Sequence, residues 1–81
     1  MIDLNRYAVD IIALKKIMVE KNLDKISTLS RKANINRNIL GNILNGKSMP
    51  TANTMYKLVE TLEISPEKAG AIFFSKDLRN T

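Results

Sequence analysis

Leu4, Tyr7, Ile11, Leu14 and Met18 follow one another at spacings of three and four residues. That spacing gathers them on one face of an α-helix and would scatter them over both faces of a strand, so it commits the chain to helices. With Ile17 beside the row, it predicts one amphipathic helix over about 7–21. A second helix begins near Asp24 or Lys25, buries Ile26, Leu29 and Ala33, and stops at Asn34, a residue type that tolerates the left-handed conformation usually given to Gly. The third runs from Asn36, a good N-cap side chain, to Asn45, with Gly46 as terminator. Thr51, just after Pro50, caps a fourth, whose core positions are Met55, Leu58, Val59 and Leu62. In "ISPEKAGAIFF" Ser65 is an N-cap, Pro66 takes the first helical position and Glu67 suits the helix dipole, so a fifth helix starts there. The last residues, "SKDLRNT", read as a tail.

No repeat, low-complexity tract or linker interrupts these segments, so the reading is a single all-α domain over 1–81 with five helices around one core. Its 81 residues contain neither Cys nor His. That excludes a disulfide framework, a thiolate zinc site and a Cys nucleophile, and removes the commonest general base. No apolar run approaches the roughly 18 residues of a membrane span, and "MIDLNRYAVD" carries an early acid where a signal peptide would be basic, then apolar. A cytoplasmic protein without cofactor or metal is the expectation.

The charge is +5 in sum, but its distribution says more. From Lys25 to Val59 the charged residues are Lys25, Arg31, Lys32, Arg37, Lys47 and Lys57, without one Asp or Glu in 35 positions. Single lysines on a solvated surface need no explanation; an acid-free block in a chain with eight acids favours a polyanion-facing side.

Inside that block lies "NINRNILGNILNGK", residues 34–47, with five Asn and two Gly in fourteen positions. Asn and Gly each cost up to about 1 kcal/mol relative to Ala inside a helix, so something other than local stability selects them. On a helical wheel Ile39, Leu40, Ile43 and Leu44 cluster on one side, to be buried, while Arg37, Asn38, Gly41, Asn42 and Asn45 fill the other. An Asn amide matches the N6 and N7 edge of adenine in the major groove, and an Arg guanidinium matches O6 and N7 of guanine. Gly41 removes a side chain where a backbone could approach DNA closely. A short helix, a tight turn holding Ile35 and a second helix form the helix-turn-helix pattern.

From "LKKIMVEKNL" through "LSRKANINRNILGNILNGKSMPTANTMYKLVETLEIS", residues 14–65, the sequence resembles the Cro/repressor-type (XRE) helix-turn-helix family of phage and bacterial regulators. The resemblance implies a five-helix lambda-repressor-like fold with helices 2 and 3 as the helix-turn-helix. It is most specific in "ILNGKSMPTANTMYKLVETL", and looser in the phage-type ending "SPEKAGAIFFSKDLRNT". It further implies that Arg37, Asn38 and Asn42 reach base edges, that Asn45 and Lys47 hold phosphate with Asn36 adding a contact, and that Leu29, Ile35, Leu40 and Ile43 lock the two helices. Ile26 stands where the family carries a Gln, which leaves Lys25 and Ser27 as the polar side chains for phosphate there. Ser30 replaces the usual Ala, Asn34 the usual turn Gly, and "NLDKIST" is one residue longer than the common pattern.

Phe73 and Phe74 are adjacent and point about 100° apart on a helix, so one belongs to the core and the other is surplus. Ile72, the surplus Phe and Leu78 are the expected homodimer contact, suited to a palindromic operator in double-stranded DNA. Three functions compete: a transcriptional regulator, repressor or Cro-like; a protein-binding module such as an antitoxin that uses the Phe-rich end; and an enzyme. The last has no support, because no acid–base pair, Ser-Lys dyad or phosphate loop nominates a reaction. No small-molecule ligand is indicated.

Overall fold

The structure is a computed structural model that describes residues 7–76. It contains five helices, α1 (Ile11–Glu20), α2 (Ile26–Ala33), α3 (Arg37–Leu44), α4 (Ala52–Leu62) and α5 (Pro66–Phe73), and two short strands, β1 (Tyr7–Ala8) and β2 (Ser75–Lys76). The all-α, five-helix expectation holds. The two short strands are added to it, one at each end of the described residues.

The first helix begins at Ile11, not near Tyr7, because Asp10 stops it there. The Asp10 carboxylate accepts from the Ala13 N–H at 3.1 Å, and the Asp10 N–H donates across the fold to the Ile72 carbonyl at 2.7 Å. Ahead of that cap the chain is extended, and Tyr7 and Ala8 pair antiparallel with Lys76 and Ser75. The expected tail therefore starts as a strand. Leu4, Leu78 and the remainder of the tail lie outside the described residues.

The other N-caps are those anticipated. Asn36 Oδ1 accepts from the N–H groups of Asn38 and Ile39, Thr51 Oγ1 from Thr54 and Ser65 Oγ from Lys68. Each satisfies donors that would otherwise be orphaned in the first turn, an effect of about 1 kcal/mol per cap. Lys25, at the head of α2, provides no side-chain cap.

At their C-terminal ends α1 to α4 share one device. Asn22, Asn34, Gly46 and Glu63 take left-handed conformations, φ +57°, +56°, +73° and +52°. The next N–H then bonds back to a carbonyl in the last turn: Leu23 to Met18, Ile35 to Ser30, Lys47 to Asn42 and Ile64 to Val59. This is the Schellman arrangement, in which the residue after the left-handed one commonly packs on the helix it terminates. Leu23, Ile35 and Ile64 do so and are buried. Lys47 is exposed instead.

One buried cluster takes side chains from all five helices, with Leu14, Leu29, Leu40, Leu58, Leu62 and Phe73 among those fully enclosed. Within it α3 packs on α2, α2 on α4 and α1 on α5. Helix α2 is thus held between α3 and α4, and one side of α3 is left exposed.

Candidate nucleic-acid interface

Helix α3 is divided along its length. Leu40, Ile43 and Leu44 are buried, at 0%, 1% and 4% exposure, while Arg37, Asn38 and Asn42 are exposed. Leu29 and Ile35 are buried with them, so all four residues expected to lock α2 against α3 lie in the interior. The outward row carries one guanidinium and two amides and no acid. Asn45 is exposed where α3 ends, donating its N–H to the Gly41 carbonyl.

Gly41 stands in the middle of that row, and a Cβ built on it would meet nothing within 4 Å. The fold therefore does not need a glycine at this position. Gly46 differs, because its φ is +73° and a Cβ there would lie 3.3 Å from Ile11 Cδ1. One glycine is explained by the backbone, and nothing among the described residues requires the other.

Around α3 lie the expected phosphate contacts. Lys25 and Ser27 are exposed at the start of α2, and Asn36 is exposed at the head of α3 with its Oδ1 occupied as the cap. Its amide NH2 remains available to donate. Lys47 is fixed to the end of α3 by its own N–H bond to Asn42 and borders a groove of about 500 Å³ that also receives Ser48, Ser75 and Lys76. Lys76 entered no sequence argument, because only strand pairing brings it there.

At the family's Gln position, Ile26 is half-buried against the core and lines a second cleft with Lys15, Val19 and Asn45. The start of α2 is consequently anchored by apolar packing. Lys57, one of the cations of the acid-free block, donates from Nζ to the Asn34 carbonyl at 2.9 Å and serves the turn between the two helices.

Two expectations need correction. Ile39, placed above on the buried face, is 49% exposed, because its wheel position borders Asn42 and the core closes over Leu40 and Ile43 instead. Ile72, expected at the dimer contact, is 3% exposed and belongs to the core, and of the two adjacent Phe residues it is Phe73, 1% exposed, that is buried. Of that set Phe74 alone is displayed among the described residues, 47% exposed and edge-on to Tyr7 with ring centroids 6.3 Å apart. Among the described residues no helix is long and apolar enough to cross a membrane.

Two short helices locked by a buried Leu and Ile set, with the second exposing a polar, acid-free row, define a helix-turn-helix. A family model for the helix-turn-helix domain matches residues 11–71, from the first residue of α1 into α5, and the chain belongs to that family. Membership implies DNA binding. Searches of curated proteins and of solved structures found no match.

Proposed function

We propose that this protein is a sequence-specific double-stranded DNA-binding transcriptional regulator, repressor or Cro-like, of the lambda-repressor-like type. The observation that carries the proposal is the outward row of α3, where Arg37, Asn38 and Asn42 are exposed while the opposite face is locked into the core. Such a row fits the major groove, with Arg37 on a guanine edge and Asn38 and Asn42 on adenine edges. Phosphates on either side are held by Lys47 and Asn45 at one end, and by Lys25, Ser27 and the Asn36 amide at the other. These contacts fix register, and the row reads sequence.

One α3 spans only a few base pairs. Useful specificity therefore calls for two copies on a palindromic operator, with half-sites about 34 Å apart or a multiple of it. Phe74 is the apolar side chain through which we propose the homodimer to form.

The test is selection of bound sequences from a random duplex pool, followed by a salt titration of the winner against a scrambled duplex. A palindromic motif with a large affinity ratio is the expected result. Weak binding without a motif, lost steeply with salt, would reduce the row to an electrostatic surface.

A further inference from the structure

Ile39 lies on the interface helix, yet neither the core nor the polar row accounts for it. It is 49% exposed on an eight-residue helix whose other large apolar side chains, Leu40, Ile43 and Leu44, are all buried. On the wheel it falls about 60° from Asn42 and 100° from Asn38, so it flanks the two amides on one side. A half-exposed isoleucine is ordinary by itself. One set beside two amides that face adenine edges has a specific counterpart.

The major-groove edge of a base pair offers donors, acceptors and a single apolar group, the C5 methyl of thymine. Wherever Asn38 or Asn42 takes an adenine, a thymine is its partner, and that methyl opens into the same groove. Ile39 is suited to cover it. As a β-branched residue in a helix it has one strongly preferred side-chain rotamer, so its surface is ordered before contact. Arg37 and the amides cannot provide this, because each is matched to polar atoms.

We infer that Ile39 is a specificity-determining residue that packs on a thymine methyl beside the bases read by Asn38 and Asn42. This rests on the proposal that α3 enters the major groove and adds an apolar element to the polar reading given there.

The experiment takes the selected duplex and replaces each thymine in turn by deoxyuridine, which keeps the hydrogen-bonding edge and lacks only the methyl. The wild-type chain, Ile39→Ala and Ile39→Val are titrated on each duplex, with far-ultraviolet circular dichroism confirming the fold. One thymine per half-site should matter: its replacement weakens the wild type about fourfold, the scale of one buried methyl-sized group. Ile39→Ala should bind the thymine duplex weaker by a similar factor and be indifferent to that replacement, with Ile39→Val between. Undiminished deoxyuridine sensitivity in Ile39→Ala overturns the assignment, as does a tightly bound motif without any sensitive thymine, and both leave base reading by Arg37, Asn38 and Asn42 intact. A pool that yields no motif overturns the DNA-reading proposal itself.

Discussion

Lys57 on α4 donates from Nζ to the carbonyl oxygen of Asn34, 2.9 Å away, across the turn between α2 and α3. Asn34 is left-handed, so its carbonyl turns out of the helical ladder and takes a partner from another element. The contact spans 23 residues of sequence and joins the helix-turn-helix to the helix that supports it. Lys57→Met keeps the aliphatic stem and removes the donor. It should cost about 1 kcal/mol in urea unfolding with an unchanged slope, as for one partly exposed hydrogen bond. Its binding to random duplex should keep the wild-type salt dependence; a salt slope smaller by about 1 would place Lys57 on a phosphate instead.

Gly41 offers an opposed pair of effects. Because a Cβ there meets nothing within 4 Å, Gly41→Ala should stabilise the fold. The gain expected for a helix interior is about 0.8–1 kcal/mol. The same methyl would stand between α3 and a closely approaching duplex, so affinity for the selected site should fall. A stabilised variant with full affinity would show that DNA does not come close at Gly41.

Base reading and phosphate holding should separate in mutants. Arg37→Ala and Asn42→Ala should each lose about 1–3 kcal/mol on the selected duplex and little on random DNA, measured by fluorescence anisotropy. Lys47→Ala should weaken both alike and lower the salt slope by about 1. Equal losses on both duplexes for Arg37→Ala would remove it from the reading set.

The turn at Asn34 can be tested by its conformation. With φ at +56°, Asn34→Ala should destabilise and Asn34→Gly should not. The left-handed penalty for an ordinary side chain is about 1–2 kcal/mol. Thermal melts in which Asn34→Ala proved the more stable of the two would show that position 34 does not take the left-handed conformation.

Phe74 bears on assembly. Sedimentation of the wild type should show a dimer that Phe74→Ser dissociates. A wild type that is monomeric at high micromolar concentration, unchanged by the substitution, would remove the proposed contact.

What the sequence disclosed was mostly local. Ser65, Pro66 and Glu67 announce α5 within three consecutive residues, and Asn36, Thr51 and Gly46 mark their boundaries through side-chain or backbone chemistry confined to one turn. Glu63 was not foreseeable as a left-handed stop, because only the packing of Ile64 behind it makes Glu accept φ +52°. Tyr7 sits four residues before Ile11 and so continues the helical spacing, while the strand that captures it lies at the far end of the sequence. Periodicity sees no partner at that distance. Ile39 failed for a related reason: at the border of the apolar arc, neighbouring elements and not the wheel decide which side chain is covered. The same holds for the pair Phe73 and Phe74, where the sequence said that one is buried and the fold says which.

The pairing of Tyr7 with Lys76 bears on the order in which the molecule assembles. The contacts of α2 with α3 join near neighbours in the chain and need only a short loop to close. The ribbon joins the two ends of the described chain, and its contact is rewarded only after nearly the whole loop has been closed. It has two residues per strand and little buried surface to hold it. The ribbon should therefore form last and open first, and the Asp10 amide that reaches Ile72 should exchange its proton faster than the amides of α3. Opening there undoes the closure without disturbing the packed helices, so α3, whose outward row carries the proposed function, is insulated from opening of the ribbon.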